Sequence, residues 1–246
     1  MKNYKLKIFC DFDGTITVND VWVNSLGKFI KDKERFKELC DLFDMNIISA
    51  RECIKRELNL IEDFNFEKFD EFINEEKIDP YFKSFIDYCK FNNYEIYIIS
   101  EGLDYYIERI LKKENIDLPY FCNKMVIYFD ENNKQKLTCE FPYSDENCVF
   151  CGMSKRNIIL SYTNEFDNEI SVLIGDSTSD FCAANYADIV FAKKKLVSYC
   201  WKNNITYFPY NNFLDIMNKL NKLKEKNKIK FRQTAQMLRR DVYIGG

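Results

Sequence analysis

With 246 residues, 46% of them hydrophobic, the chain can bury one or two cores, and seven glycines and four prolines leave no room for a long flexible linker. It contains no histidine, so any proton transfer must use a carboxylate, lysine, tyrosine, thiol or water, which excludes histidine-based triads and phosphohistidine chemistry. No stretch approaches the apolar length of a membrane span, and the first acidic motif begins too near Met1 to leave space for a signal peptide, so a cytoplasmic enzyme is expected.

In chain order, Lys5 to Cys10 reads as a buried strand that ends abruptly in Asp11-Phe12-Asp13-Gly14-Thr15. Asp13 can share a site with Asp11 only if the chain turns just after the strand end, and Gly14 permits that turn. From Asp20 to about Lys77 the spacing is helical with charged faces, as in Phe29, Phe36, Leu39 and Phe43, then Ile54, Leu58 and Ile61. Asp79-Pro80 breaks the pattern, a helix is predicted over Tyr81 to Phe91, and a second strand over Tyr94 to Ile99 ends at Ser100. Val126 to Phe129 and Leu137 to Phe141 read as a hairpin around Glu131-Asn132-Asn133. Lys155 opens a helix, and Ser171 to Ile174, Asp188 to Phe191 and Ile205 to Phe208 read as further strands alternating with helices. Such alternation predicts an α/β fold with a mainly parallel sheet covered on both faces.

Two strand ends carry the chemistry. Asp11 and Asp13 after the first strand, and Asp176 and Asp180 in Gly175-Asp176-Ser177-Thr178-Ser179-Asp180, fall where open α/β sheets bind ligands. Crowded carboxylates raise one another's pKa unless a cation sits between them, and hard oxygen ligands of this kind suit Mg²⁺. The expected partner is a Mg²⁺-held phosphate, with Asp11 placed to attack phosphorus. Ser100, with the N–H of Gly102 at the start of the next helix, can hold phosphate oxygens, and Lys155 supplies a compact positive charge. Alone, an Asp-x-Asp after a strand is usually an acidic turn, and a lysine at a helix start is usually solvated.

Taken together, Asp11-Phe12-Asp13-Gly14-Thr15, Ser100-Glu101-Gly102, Lys155 and Gly175 to Asp180 occur in the order that defines the haloacid dehalogenase superfamily, which the chain resembles over about residues 5 to 210. The resemblance implies a Rossmann-like core over residues 1–16 and 80–215, a helical cap over 17–79, and a basic helix and tail over 216–246. It also implies an aspartyl phosphate on Asp11, and Asp13 as acid and then base. Mg²⁺ would be held by Asp11, Asp176 and the backbone carbonyl of Asp13, with Asp180 orienting a metal-bound water and Thr15, Ser100, Gly102 and Lys155 on the phosphate. The helical insertion is similar to that of the phosphoserine-phosphatase-like branch, and the Gly175–Asp180 region is most similar to its methionine-salvage subgroup. The expected substrate is a small phosphorylated metabolite, with a phosphoserine or a phosphoethanolamine/phosphocholine-type ester as alternatives and a non-catalytic phosphate-binding regulator as a further one.

Specificity is assigned to the insertion, where Asp20 aligns with an ammonium-binding glutamate of phosphoserine phosphatases and Arg56 with a carboxylate-binding arginine. Gly14 and Ser179 depart from that branch, which usually carries Ser and Asn there. Asp20 also reads as a helix N-cap and Arg56 as a solvated residue. The ten cysteines read as reduced core thiols; Cys148-x-x-Cys151 has ligand spacing, but a closed zinc site would need Cys122 or Cys139 to swing in. Lys219 to Arg240 holds nine lysines and arginines against Glu225 alone. That run reads as a solvated final helix with a frayed end, in preference to a binding surface for nucleic acid or acidic membrane.

Overall fold

The structure is a computed structural model that describes residues 4–245. Residues 1–3, assigned above to the core, and Gly246 of the tail lie outside the described residues. Seven strands form one sheet: β1 (Lys5–Cys10), β2 (Glu95–Leu103), β3 (Tyr120–Phe129), β4 (Gln135–Glu140), β5 (Glu169–Gly175), β6 (Ile189–Ala192) and β7 (Phe208–Pro209). Their order is β4-β3-β2-β1-β5-β6-β7, parallel throughout except for the β3–β4 hairpin. β1 is therefore central, with Cys10 in register with both Ile98 and Ile174.

The sheet is sandwiched because its strands are apolar on both faces. Leu6, Ile8 and Cys10 of β1 join Ile96, Ile98, Val172 and Ile174 on one side, while Phe9, Ile99, Leu173 and Val190 point to the other.

Helices α1 (Val21–Asn24), α2 (Lys33–Asp44), α3 (Ala50–Asn59) and α4 (Phe66–Glu75) all fall between β1 and β2, before α5 (Phe82–Phe91). The chain enters and leaves this helical segment side by side, with an antiparallel bridge between Thr17 and Ile78. An aromatic cluster of Phe29, Phe64, Phe69 and Phe72 packs within it. Then come α6 (Asp104–Lys113), α7 (Lys155–Ser161), α8 (Phe181–Tyr186), α9 (Lys194–Lys202), α10 (Phe213–Glu225) and α11 (Gln233–Gly245). Apolar residues of α5, α6 and α10 cover the Leu6 face; those of α7, α8 and α9 cover the Phe9 face.

Four expectations need correction. β2 runs on to Leu103, through a register shift between Ile99 and Leu103, because Leu103 pairs with Asn123 of β3; Gly102 thus lies in the strand and not at the helix start. β3 begins at Tyr120 and not at Val126, its first half pairing parallel with β2 and its second half antiparallel with β4. The predicted strand Ile205–Phe208 shrinks to Phe208–Pro209, since the Ile205 N–H closes the end of α9 on the Cys200 carbonyl and Pro209 has no N–H to extend the ladder. The basic C-terminal stretch is two helices, and the second is docked: Arg232 donates to the carbonyls of Ala184 and Asn185 at 2.6 and 2.7 Å, and buried Arg239 pairs with Asp188 at 3.0 Å. No helix of the described residues is long and apolar enough to cross a membrane.

Candidate active site

The carboxyl ends of β1, β2 and β5 open onto a cavity of about 400 Å³. Asp11, the first residue after β1, is fixed by its N–H to the Ile174 carbonyl at 2.9 Å and is only 3% exposed. Gly14 follows with φ +68, the left-handed turn that glycine adopts without strain. A Cβ there would stand 2.6 Å from Asp176 Oδ2, so the turn and the close approach both require glycine.

Lys155, 1% exposed, is the bridge of the site. Its Nζ donates to Asp11 Oδ1 at 2.6 Å, to Asp180 Oδ1 at 2.7 Å and to Ser179 Oγ at 3.1 Å. Ser154 places it by capping α7, its hydroxyl accepting from the Asn157 N–H. Asp180 is held equally firmly, since its Oδ2 accepts from the N–H groups of Asp176 and Ser177 at 2.9 and 3.2 Å. One oxygen each of Asp11, Asp176 and Asp180 lies within 4.8 Å of the others. Burial, chiefly, with mutual repulsion added, pushes the Asp11 carboxyl well above the usual range and that of Asp176 upward.

Asp13 is in the same cavity but turns its carboxylate away from that trio. Its Oδ2 accepts from Tyr106 at 2.9 Å and Ser100 at 3.1 Å, and its Oδ1 from the Val21 N–H at 3.2 Å. Burial first, and the charge of Asp20 second, push Asp13 up to about 7.

The other predicted residues divide. Ser100 is buried with its hydroxyl engaged by Asp13 and by the Gly102 N–H at 2.9 Å, and it does not line the cavity. Thr15 is also buried outside the lining, and its hydroxyl has no hydrogen-bond partner among the described residues. Gly102 does line it, though a side chain there would strike the Tyr106 hydroxyl and the Asp13 carboxylate, at 1.8 and 2.7 Å, before any ligand. Asp20 lines the cavity and also caps α1, accepting from the Val23 N–H at 3.1 Å. Arg56 does not line it: exposed on α3, it pairs with Glu52 one turn earlier, because that pairing needs no desolvation of the guanidinium.

Two residues were missed. Tyr106 clamps Asp13 from α6, and Lys194 reaches Asp176 Oδ2 at 2.8 Å from the start of α9. Lys194 had a signal, since it lies two residues beyond β6, at the same sheet end where Asp11 directly follows β1 and Asp176 directly follows β5. Its φ is +48, whereas every other non-glycine with positive φ among the described residues is Asn or Asp. Such backbone strain accumulates at functional sites.

The family model for haloacid dehalogenase-like hydrolases matches residues 8–185, which span every group just described from Asp11 to Asp180. The chain belongs to the haloacid dehalogenase-like hydrolases. It is 32% identical over 229 residues to a 2-hydroxy-3-keto-5-methylthiopentenyl-1-phosphate phosphatase of Bacillus cereus, covering 89% of this chain and 98% of that protein. A Bacillus thuringiensis phosphatase of the same name matches at 32% over the same shares. Among solved structures, a phospho-aspartyl intermediate analogue of phosphoserine phosphatase superposes with a TM-score of 0.67 at 19% identity, over 89% of this chain and 99% of the other. A substrate-bound phosphoserine phosphatase gives 0.66 at 18%, over the same shares. These two share the fold of this haloacid dehalogenase-like phosphatase.

Proposed function

We infer that the protein is a Mg²⁺-dependent phosphatase that hydrolyses a small phosphate monoester through an aspartyl phosphate on Asp11, with residues 17–79 acting as a cap over the leaving group. The observation that carries this reading is the Lys155 ammonium buried between Asp11 and Asp180 beside Asp176. The residues present fit a hard dication, for the donor set is all oxygen and Asp176 Oδ1 is buried with no hydrogen-bond partner among the described residues. Asp11, Asp176 and the Asp13 backbone would hold it, with Asp180 behind them. When bound, Mg²⁺ supplies the positive charge that lets an anionic ester approach an anionic nucleophile.

The chain's own groups then divide the work. The Asp11 carboxylate attacks phosphorus, while Lys155 holds that carboxylate in place and neutralises charge on the phosphoryl oxygens. Asp13, which burial pushes up to about 7 so that a protonated fraction is present near neutral pH, delivers its proton to the leaving oxygen and later takes one from water. Tyr106 and Ser100 keep that carboxyl aimed.

Chelation should silence the enzyme and Mg²⁺ should restore it. At a hundred times its Kd, the ion should stabilise the fold by ~2.7 kcal/mol, raising Tm by roughly 5–10 °C for a chain of this size. Recovery with Zn²⁺ but not with Mg²⁺ would sink the assignment.

The pH profile offers a separate check. The first step needs Asp13 protonated, so kcat should fall as pH rises through its pKa. Asp20→Asn removes a like charge and lowers that pKa, so the alkaline limb should move to lower pH, by up to about one pH unit, equivalent to ~1.4 kcal/mol. An unmoved or upward-shifted limb contradicts the role.

The leaving group is read from the cavity wall. On the insert side it offers Trp22, Phe43 and Ile54, with Glu57 held by Cys53 and Cys40 thiols, and no lysine or arginine of residues 17–79 lines it. The same side carries the carboxylates of Asp20 and Asp44, the latter paired with Lys195, so a carboxylate-bearing leaving group is disfavoured there, and Trp22, Phe43 and Ile54 favour a partly apolar one such as the substrate named for the Bacillus relatives. The test is kcat/KM for 2-hydroxy-3-keto-5-methylthiopentenyl-1-phosphate against phosphoserine, expected to differ at least ~100-fold, or ~2.7 kcal/mol. Equal or better use of phosphoserine would reject the methionine-salvage substrate while leaving the phosphatase mechanism standing.

A further inference from the structure

Cys182, and neither Cys122 nor Cys139, is the cysteine that the fold brings to Cys148-x-x-Cys151. The Cys148 sulfur lies 2.7 Å from that of Cys151 and 3.6 Å from that of Cys182, and all three sulfurs lie within 4.8 Å of one another. Cys148 and Cys151 occupy a turn closed by the Cys151 N–H on the Cys148 carbonyl at 3.2 Å, just before α7; Cys182 is in the first turn of α8. Cys148 is buried, while Cys151 and Cys182 are partly exposed, so an ion can enter from solvent.

Three converging soft donors have a chemistry of their own. Thiolates select thiophilic cations over Mg²⁺, and Zn–S bonds of about 2.3 Å place tetrahedral sulfurs about 3.8 Å apart, close to the 3.6 Å between Cys148 and Cys182, so that only Cys151, at 2.7 Å from Cys148, must draw back by about 1 Å. Glu101, the carboxylate within electrostatic reach of Cys148 and Cys151, is already engaged by the Gly152 N–H at 3.1 Å, and Asp145 is bound by Arg156 at 2.9 Å and by Asn157, which leaves the sulfurs as the free donors. Arg156, 8% exposed, lies within electrostatic reach of Cys148 and Cys182 and offsets the net negative charge of three thiolates around a dication. A Cys148–Cys151 disulfide would leave the third sulfur without a part. We propose that Cys148, Cys151 and Cys182 form a Zn²⁺ site distinct from the oxygen site at Asp11, with the thiol protons released to solvent and the fourth position taken by water.

The site would fasten two segments. Cys151 precedes Lys155 in the turn that leads to α7, and Cys182 follows Asp180 at the start of α8, so Zn²⁺ there would tie together the two ends of the 2.7 Å Lys155–Asp180 pair.

The experiment uses the full chain under reducing conditions with excess Mg²⁺. Metal-free protein is titrated with Co²⁺, whose near-ultraviolet thiolate-to-metal band separates sulfur from carboxylate ligation, and then with Zn²⁺ against a chromophoric chelator. Stoichiometric Zn²⁺, the cobalt band and a rise in Tm on Zn²⁺ addition are expected. Zn²⁺ binding should weaken at least about tenfold, or ~1.4 kcal/mol, in both Cys182→Ser and Cys151→Ser. It should be unchanged in Cys200→Ser, a buried thiol elsewhere. No band in the wild type, or a band retained in whichever of the two variants folds, overturns the proposal; so does a Cys148–Cys151 disulfide that persists under reduction.

Discussion

Asp11→Asn should abolish phosphate release from every ester while the protein stays folded. The substitution keeps the planar shape beside Lys155 but removes the anionic oxygen that attacks phosphorus, and an amide cannot form the acyl phosphate. Removing a nucleophile typically leaves only the contribution of binding and charge stabilisation, so a loss on the order of 10⁴-fold or more in kcat is expected. Stability should change little in metal-free protein, because Lys155 keeps Asp180 as its charged partner while the repulsion of Asp11 by Asp176 and Asp180 is removed. The checks are inorganic phosphate release with Mg²⁺ and a thermal melt. A folded variant within about tenfold of wild-type kcat, less than ~1.4 kcal/mol of barrier, would refute the role.

Lys155→Met should damage fold and activity together. The methionine stem fills much of the volume of the lysine, but Asp11 and Asp180 lose the cation between them inside a site that excludes water. Stranding buried charge in this way costs ~3–5 kcal/mol, a fall in Tm of roughly 6–20 °C. The sign of its pH dependence follows from Asp11. A carboxyl whose folded pKa is raised destabilises the fold where it is ionised and ceases to do so as pH falls through that pKa. The variant should therefore lose more stability at pH 8 than at pH 5.5 and recover part of it in Lys155→Met/Asp180→Asn. Denaturant melts at both pH values measure this, and a variant within ~1 kcal/mol of wild type at pH 8 contradicts it.

What the chain announces in advance is what is local to it. Asp11, Asp13, Asp176 and Asp180 are legible because they directly follow, or lie within a turn of, an apolar strand end, and strand ends of a parallel sheet converge by construction. Lys155 is legible only through its order among the motifs. Tyr106 was hidden because its role depends on β2 continuing through Gly102 and on how α6 then rotates, which leaves no periodic mark. Arg56 shows the opposite difficulty: a charged residue on a helix reads alike whether it faces a cavity or Glu52. The approach of Cys182 to Cys148 and Cys151 was hidden because strand and turn spacing cannot say that α7 and α8 lie side by side. The C-terminal cations looked free for the same reason, since the acceptors of Arg232 and Arg239 lie far back in the sequence around α8.

The central position of β1 makes the strand that leads into the Asp11–Asp13 motif the first of the seven described strands to be synthesised and among the last to be enclosed. Its two neighbours are β2 and β5, so Cys10 cannot meet Ile174 until most of the core has left the ribosome, on the order of ten seconds later at ordinary translation rates. Until β2 is made, the strongly apolar segment Ile8-Phe9-Cys10 stands with both edges open, and the edge that β5 will cover stays open for the rest of that interval. Lys5 and Lys7, set within the same strand, supply like charge that opposes pairing with a second nascent chain. In the finished protein Lys7 is covered and answered by Glu95 and Glu169 at 2.6 and 3.3 Å, so the charge that guards the strand during synthesis is neutralised by the neighbours that finally flank it.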